Sequence, residues 1–322
     1  MYFIPKRLKS IFILLFLTVL PVLLNCSNDS EPSVVDISFE GIFSKAGLDG
    51  IAVNTLNHFE GNMYAATDNG LYRRPEVSEN LFWSSLGLQK QNVLQVAFLP
   101  ETTLLAAIGL NFINEGEPTL FLSHDDGQNW QPWVNNYGGE TGEYTFVASL
   151  VTPSKPSDTL FALGADRTVV RSLDGGKTWG VLTGQWDNFG GSSQSVYINS
   201  FQKEIIWAVG ASALGTPYIL KSADYGESWM SLDVLENIEA VCYDVITHPK
   251  EQSHILAGLG GGFDQALVIR KSTDGGANWE TVEFGDSPAQ MQVNDMVSVL
   301  ENGKEVLYFA TNQGVYSYTF EE

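Results

Sequence analysis

An eight-residue motif, Ser-x-Asp-x-Gly-x-x-Trp, occurs four times in this chain of 322 residues at a nearly constant interval. We call each copy a repeat turn. The copies begin 49, 50 and 50 residues apart, at Ser123, Ser172, Ser222 and Ser272. A fixed period of about 40–50 residues indicates an array of similar supersecondary units. The motif therefore constrains the fold before any catalytic pattern is considered.

The sequence around the repeat turns has the pattern of short strands. An apolar segment ending in small residues occurs six times, at Met63–Ala66, Leu104–Ala107, Leu160–Ala162, Ile206–Ala208, Ile255–Gly258 and Leu307–Ala310. Short apolar runs bounded by Gly, Asp and Asn are typical of strands, and no segment after the N-terminal leader keeps a helical period. We predict six units of four strands, whose small residues would line a narrow central axis.

The first and last units are degenerate copies. Gly70–Arg73 is followed by Trp83, which precedes Trp130 by 47 residues, close to the repeat interval. The last unit keeps Gly314–Tyr316 and then lacks a fourth strand before Glu322.

The start of the domain offers the missing strand. Asp36–Ile42 alternates polar and apolar residues, and Ser44–Leu48 resembles Ser84–Leu88, the exit from the first unit's fourth strand. Closing the ring in this way removes an exposed sheet edge. We predict an all-β fold, a six-bladed β-propeller of four-stranded blades whose last blade is closed by the N-terminal strand; a seven-bladed propeller is the alternative.

Each residue type of the repeat turn has a physical role. The glycine permits a positive φ, the serine and aspartate bind turn amides, and the tryptophan packs the hairpin against its neighbour. The motif resembles the Asp box, or BNR repeat, of bacterial sialidases, sortilin-type receptors, xyloglucan-degrading glycosidases and the photosystem II assembly-factor family. That resemblance implies a propeller in which the Asp boxes lie opposite the active face. It assigns structural roles to Ser123, Asp125, Gly127, Trp130, Ser172, Asp174, Gly176, Trp179, Ser222, Asp224, Gly226, Trp229, Ser272, Asp274, Gly276 and Trp279.

The catalytic residues of the resembling enzymes have no clear counterparts. A sialidase requires an arginine triad and a Phe-Arg-Ile-Pro type motif, whereas the sequence after residue 25 has only Arg73, Arg74, Arg167, Arg171 and Arg270 and lacks the motif. Arg171 and Arg270 are interpreted as solvated strand positions. Xyloglucan-degrading glycosidases use two seven-bladed propellers. We therefore predict no catalytic residue and no cofactor.

The four histidines also lack a metal-ligand pattern. His58, His124, His248 and His254 are separated in sequence without the spacing of a metal site. We predict no metal ligand among them.

Two segments on the face opposite the repeat turns are rich in aromatic and polar residues. They are Gln131–Tyr144 and Gly184–Gly191. Aromatic plates beside amides and carboxylates suit a sugar or a peptide. We predict Trp133, Tyr137, Trp186, Asp187 and Asn188 as ligand-binding residues; packing between blades is the alternative for each.

The N-terminus has the features of a bacterial lipoprotein leader. Lys6, Arg7 and Lys9 precede the apolar segment Ile11–Leu24, which is too short to span a bilayer. The sequence Leu-Leu-Asn-Cys that ends at Cys26 resembles a lipobox. We predict a signal peptide over residues 1–25, lipidation at Cys26, a flexible tether over 26–35 and one propeller domain over 36–322; an ordinary secretory signal is the alternative.

The charge of the mature chain narrows the partners. Removal of residues 1–25 takes away Lys6, Arg7 and Lys9. The mature chain then has 14 basic and 38 acidic residues, which gives it a net charge of −24. Such a surface disfavours nucleic acid. We expect a non-catalytic scaffold or recognition protein that is lipid-anchored at the outer membrane of a Gram-negative cell, facing the periplasm or the surface, and that binds protein or carbohydrate. The alternative is a secreted glycoside hydrolase with catalytic carboxylates on the loop face.

Overall fold

The computed structural model describes thirteen stretches of the chain: residues 41–76, 81–101, 103–109, 119–133, 147–153, 155–164, 169–182, 191–198, 204–212, 217–232, 241–260, 268–282 and 292–320. The chain divides into two compact units, Met1–Ile37 and Ser38–Glu322, and every described residue belongs to the second. These residues form six four-stranded antiparallel sheets, the blades of a six-bladed β-propeller. The described residues include no helix, and hence none that could cross a membrane.

We number the blades in chain order and the strands of each blade from first to fourth. Blade 1 contains Val53–Phe59, Asn62–Thr67, Gly70–Pro75 and Ser84–Ser85. Blade 2 contains Asn92–Leu99, Thr103–Gly109, Leu120–Ser123 and Gln131–Pro132. Blade 3 contains Val147–Val151, Leu160–Gly164, Val169–Ser172 and Gly180–Val181. Blade 4 contains Gly191–Ile198, Ile206–Ser212, Pro217–Ser222 and Met230–Leu232. Blade 5 contains Val241–Thr247, Ile255–Gly260, Val268–Ser272 and Glu280–Val282. Blade 6 contains Val293–Glu301, Lys304–Thr311, Gly314–Phe320 and, as its fourth strand, Gly41–Gly47.

The first strands surround the axis of the propeller. Each first strand contacts the first strands of the two neighbouring blades. Every one of them also has a β-bulge near its start, for example between Val53 and Thr55 in blade 1 and between Val293 and Asp295 in blade 6. A bulge changes the direction of the side chain that follows it. The residue after each bulge is therefore placed to reach a neighbouring blade.

The N-terminal strand closes blade 6, as predicted. Gly41–Gly47 pairs antiparallel with Gly314–Phe320. The predicted strand Asp36–Ile42 begins outside the described residues and ends inside the observed strand. Phe43 explains the register, because its ring stacks on those of Phe309 and Tyr316 at centroid distances of 5.7 and 5.4 Å. Sequence alternation alone could not identify those partners.

The small-residue segments lie on the second strands and do not line the axis, contrary to the prediction. Ala65 packs with Val53 and Trp83 in one interblade cluster, and Ala106 lies in the next. Both alanines are fully buried. Small side chains are needed there because neighbouring blades pack face to face at this depth.

The two ends of the propeller carry different connections. At one end, which we call the repeat-turn end, the repeat turns lie beside the turns that join first and second strands. Two hydrogen bonds connect them: Gly175 N donates to Asp158 O, and Gly275 N donates to Ser253 O, each at 2.9 Å. The opposite end, which we call the loop end, carries the turns between second and third strands and the blade-to-blade connections. There Gly70 N donates to Gln91 O at 2.9 Å.

Candidate functional site

The side chains of the repeat turns are used in their own local hydrogen bonds. In blade 3 the buried Ser172 hydroxyl donates to Asp174 Oδ1 at 2.8 Å and accepts from Gly176 N at 2.9 Å. Asp174 also accepts from the amide and hydroxyl of Thr178, and Trp179 Nε1 donates to Gly176 O at 3.0 Å. The turns that begin at Ser123, Ser222 and Ser272 repeat this network, with Asn129, Ser228 and Asn278 in place of Thr178.

These bonds act on the repeat-turn carboxylates electrostatically. Hydrogen bonds from the Asn278 side chain and amide lower the pKa of Asp274 to about 2. The Asn129 and Ser228 side chains likewise lower the pKa of Asp125 and Asp224. For Asp174, partial burial acts in the raising direction, but the hydrogen bonds from Thr178 leave the pKa lowered. Carboxylates stabilised in this way are poor proton donors, which suits a structural role.

The tryptophan of one repeat turn and its counterpart in the degenerate first unit also link neighbouring blades. Trp130 Nε1 in blade 2 donates to Leu86 O of blade 1 at 2.7 Å. Trp83, at the same place in the degenerate first unit, donates to Ala46 O in the closing strand at 3.0 Å. The first unit therefore keeps the interblade bond although it has lost the Ser-x-Asp pattern.

Of the two arginines predicted as solvated strand positions, Arg171 forms a partly exposed ion pair with the next blade. Arg171 lies 3.4 Å from Glu227, in the repeat turn of the next blade. Arg73 in blade 1 makes the equivalent ion pair with Asp126 in blade 2. Arg270 is half-buried, and its Nε is shielded from solvent. The sequence could not show this because each partner lies 53 or more residues away.

A buried cation lies at the junction of blades 6 and 1. Arg74 is 3 % exposed, and its guanidinium lies 5.2 Å from the ring centres of both Trp83 and Tyr308. The Tyr308 hydroxyl donates to the Glu301 carboxylate. Cation–π contacts on two sides compensate the guanidinium for lost hydration.

The residues that follow the bulges of the first strands form a ring around the axis, which we call the axial positions: Thr55, Gln95, Ser149, Ser195, Asp244 and Asp295. Thr55 Oγ1 donates to Leu94 O in blade 2 at 3.0 Å. Gln95 Oε1 accepts from Leu150 N in blade 3 at 2.6 Å. Ser149 Oγ accepts from Val196 N in blade 4 at 3.1 Å. The side chains of Thr55, Gln95 and Ser149 therefore each bind the backbone of the following blade.

Blades 5 and 6 continue the ring with two carboxyl groups. Asp244 Oδ2 accepts from Met296 N in blade 6 at 3.0 Å, and its Oδ1 accepts from Val245 N at 2.8 Å. Asp295 Oδ2 accepts from Leu56 N in blade 1 at 2.7 Å. Asp244 and Asp295 are thus consecutive members of the ring of axial positions. Burial raises the pKa of both, that of Asp244 to about 6.

A lysine reaches towards the axis from the repeat-turn end. Lys155 lies in the turn between the first two strands of blade 3, and its Nζ donates to Asn57 Oδ1 in blade 1 at 2.9 Å. The same ammonium lies 5.6 Å from the ring centre of Phe98 in blade 2. Desolvation of its ammonium group acts to lower the pKa of Lys155, and the attraction of Asp295 opposes that shift.

Two of the four histidines, His248 and His254, lie close together. His248 and His254 flank one turn of blade 5, with ring centres 5.8 Å apart. His58 Nε2 lies 2.7 Å from the Glu76 carboxylate. Among the described residues no three His, Cys, Asp or Glu side chains are grouped so as to hold a metal ion.

The predicted ligand-binding residues fall mostly outside the described stretches. Trp133 is described: its ring packs half-buried against the core between blades 2 and 3, and Lys177 Nζ lies 5.9 Å from the ring centre. Tyr137, Trp186, Asp187 and Asn188, like the lipidation residue Cys26, lie outside the described residues. For Trp133 the packing alternative accounts for the observed contacts.

Comparison with known proteins agrees with the architecture. No known protein family and no curated protein matches the sequence. Three similar solved structures share the architecture. YCF48 bound to D1 peptide is 13 % identical, with 84 % of this chain and 78 % of that chain covered and a TM-score of 0.54. The GH74 xyloglucanase from Xanthomonas campestris is 14 % identical, with 86 % of this chain and 53 % of that chain covered and a TM-score of 0.55, and YCF48 from Cyanidioschyzon merolae is 11 % identical, with 87 % and 98 % covered and a TM-score of 0.54. The chain spans about half of the xyloglucanase. At such identities the likeness concerns the fold alone, and the number of six blades comes from the sheets of this chain itself.

Proposed function

We propose that this chain is a lipid-anchored, non-catalytic propeller of a bacterial cell envelope that binds a protein or glycan partner at its loop end, over blades 2 to 5.

The lengths of the blade-to-blade connections carry this proposal. The connections from blade 6 to 1 and from blade 1 to 2 have only 5 and 6 residues. The four later connections have 14, 9, 8 and 10 residues. A propeller needs only short links to hold its blades together, and long loops on a rigid scaffold are where binding residues concentrate. Tyr137 and Trp186 belong to the first two long connections.

Charge and fold similarity support a partner of this kind. The net charge of −24 in the mature chain favours neutral or cationic partners over nucleic acid. YCF48, which shares the fold, is bound to a peptide in one of the similar structures. A peptide or protein with a neutral or basic surface would fit both observations.

The route of the chain is compatible with an anchor at Cys26. The closing strand begins at Gly41, opposite Phe320, and therefore starts at the repeat-turn end. A lipid-anchored tether would join the propeller at that end and leave the loop end free for a partner.

Binding is tested with the soluble chain from Asn28 onward on peptide and glycan arrays. Trp186→Ala and Tyr137→Ala should each weaken binding of the best array ligand at least about tenfold, since aromatic anchors dominate binding energy. Phe82→Ala is the matched control, because Phe82 is an aromatic residue 73 % exposed outside the loop end. Equal losses in all three variants, or no ligand on either array, would refute the proposal.

The similarity to a xyloglucanase supports a second candidate, a glycoside hydrolase. Its catalytic acids would have to lie on the loop end, because Asp244 is buried and both of its oxygens are bonded to backbone amides. Chromogenic glycosides test this alternative. Turnover that a single loop-end Asp or Glu substitution abolishes would replace the binding proposal with the hydrolase.

Lipidation is tested separately in the full chain. Cys26→Ser should move the protein from the membrane fraction to the soluble fraction, because the thiol that would carry the lipid is gone. Cys242→Ser is the control, since Cys242 is buried in blade 5. Unchanged fractionation of Cys26→Ser would contradict the anchor.

A further inference from the structure

Large apolar side chains are exposed in turns at the repeat-turn end of three blades. Phe82 in blade 1 is 73 % exposed, and its neighbour Leu81 is 51 % exposed. Leu173, in the repeat turn of blade 3, is 67 % exposed, and Tyr225, in the repeat turn of blade 4, is 37 % exposed. Isolated exposed apolar residues are ordinary on a protein surface, whereas several in equivalent turns at one end indicate a contact surface.

Phe82 stands where the intact repeat turns have a polar residue. It directly precedes Trp83, and in blade 2 the same position is held by Asn129, whose side chain donates to the repeat-turn aspartate at 2.6 Å. Glu76 N donates to Gly61 O at 2.9 Å, so the chain leaves the third strand of blade 1 at the repeat-turn end. Because this turn has lost the Ser-x-Asp pattern, the fold no longer requires a polar side chain there. The fold does not require a large, exposed aromatic one either.

Tyr225 occupies a position at which the backbone is left-handed. Its φ is 58°, and the same position in the other repeat turns is held by Asp126, Gly175 and Gly275 at φ values of 57°, 69° and 76°. This region favours glycine and short polar residues, and a bulky side chain there is costly. An exposed tyrosine is therefore unfavourable for the turn itself, and a contact outside the propeller accounts for it better.

The closing strand brings the chain into the propeller at the same end. In blade 6 it begins at Gly41, opposite Phe320, where the intact blades have a repeat turn. The other end of the closing strand contacts blade 1, since a Cβ at Gly47 would lie 2.8 Å from the carbonyl oxygen of Leu81. Six residues of extended strand span about 20 Å. The apolar residues of blade 1 therefore flank the strand by which the chain enters.

We infer that the repeat-turn end is a membrane-contact face, on which Leu81, Phe82, Leu173 and Tyr225 enter the headgroup region of the bilayer that holds the lipid anchor. The inference rests on the proposed anchor at Cys26. Fifteen residues separate Cys26 from Gly41, and a flexible chain of that length has a root-mean-square end-to-end distance of about 20 Å. The repeat-turn end is thus within reach of the bilayer, and aromatic and large aliphatic side chains are those that favour the boundary between water and lipid.

The charge of this end selects the kind of lipid surface. The four repeat turns contain six acidic residues and a single basic one, Lys177. Arg73 and Arg171 are already paired with Asp126 and Glu227 of these turns. Acidic groups are repelled by an anionic bilayer. The face therefore fits zwitterionic headgroups, such as phosphatidylcholine and phosphatidylethanolamine, better than phosphatidylglycerol.

The test uses a triple variant that takes its residues from the other repeat turns. Phe82→Asn introduces the residue of blades 2 and 5, Leu173→Thr that of blade 5, and Tyr225→Asp that of blade 2. Because each position is exposed and each new residue already occurs in an equivalent turn, the unfolding midpoint should stay within about 2 °C of the wild type. The control variant exchanges polar turn residues for other polar ones, His124→Thr with Asn278→Ser.

Contact is measured on phosphatidylcholine vesicles that contain a nickel-chelating lipid. The chain from Asn28 onward, which keeps every strand of the propeller, is held on them by an N-terminal histidine tag, so that its attachment does not depend on Cys26. An environment-sensitive dye is placed by Leu81→Cys at the repeat-turn end or by Asp68→Cys in an exposed turn at the loop end of the same blade. The remaining thiol, Cys242, is buried and escapes labelling.

A nitroxide-labelled lipid should quench the dye at position 81 at least about threefold more strongly than the dye at position 68. The triple variant should lose that difference and the control variant should keep it. Vesicles rich in phosphatidylglycerol should reduce it. Equal quenching at the two positions, or unchanged quenching in the triple variant, would overturn the inference.

Two further results separate this inference from its alternatives. Self-association of the untethered chain that the triple variant abolishes would make the face an interface between two copies, and would overturn the membrane contact. The fractionation of Cys26→Ser tests the anchor by itself. A tagged propeller that lies on the vesicles by its loop end would therefore refute the membrane-contact face and leave the anchor intact.

Discussion

The indole Nε1 of Trp83 donates a 3.0 Å hydrogen bond to the carbonyl oxygen of Ala46, and so joins the first blade to the strand that closes the sixth. Trp130 makes the same bond to Leu86 one blade further on. The junction of the two chain ends is therefore built like an ordinary interblade contact. Its stability depends on a few identifiable side chains.

Trp83→Phe should lower the free energy of unfolding by about 1–3 kcal/mol, because the buried Ala46 carbonyl loses its donor while most of the apolar contact is kept. Denaturant unfolding measures the change. Trp279→Phe is the control, since the hydrogen bond described for its indole stays within its own turn, to Gly276 O. A larger loss for Trp279→Phe would contradict the interblade role of Trp83.

Arg74→Ala should cost about 2–4 kcal/mol, because it removes a buried side chain held between two aromatic rings and leaves a cavity. The neighbouring Arg73→Ala should cost less than about 1 kcal/mol, since the Arg73–Asp126 ion pair is partly exposed. The same unfolding experiment measures both. Similar costs for the two arginines would show that burial of Arg74 is not what stabilises the junction.

Gly258→Ala should destabilise the protein by about 1–3 kcal/mol through overpacking. A Cβ at this position would lie 2.4 Å from the Tyr243 ring. Gly258 faces the axial Asp244, at the place where blades 1, 2 and 6 have Ala66, Ala107 and Ala310. Gly180→Ala is the control, since a Cβ there meets nothing within 4 Å. A tolerated Gly258→Ala would mean that Tyr243 can move aside.

Asp274→Asn should remove part of the acid sensitivity of the fold. The folded-state pKa of Asp274 is lowered to about 2, so its stabilisation is present above the unfolded value of about 3.9 and is lost as the pH falls towards 2. Unfolding midpoints between pH 2 and pH 5 should therefore fall less steeply in Asp274→Asn than in the wild type. Parallel curves would contradict the prediction. The pKa shift of Asp274 is opposite in direction to that of the axial Asp244, whose pKa is raised by burial.

The repeat turns could be predicted from the sequence because their hydrogen bonds are local. Ser172, Asp174 and Gly176 bond over two to four positions, so spacing alone specifies the network. The six units and the N-terminal closing strand followed from the same periodicity. The register of that strand did not, because it depends on the stacking of Phe43 against residues near the other end of the chain.

The axial positions were missed, although a signal was present. Each is a polar residue just before an apolar one in the first strand of its blade, as in Gln95–Val96 and Asp295–Met296. In the sequence these resemble ordinary alternation. Only the bulges, which local sequence does not show, turn the side chains towards the next blade.

The sequence by itself determined the repeat and predicted six blades, with seven as the alternative, and the use of the N-terminus to close the ring, because these depend on contacts within about fifty residues or on a pattern repeated at that period. The structure settled the number at six. The tertiary structure decided which side chains fasten one blade to the next. The Leu56 amide and Asp295 are 239 positions apart, and their bond exists only once the ring is closed. Burial at the axis then raises the pKa of both axial carboxyl groups, because the surrounding protein, and not the residue type alone, sets the pKa of a carboxyl group.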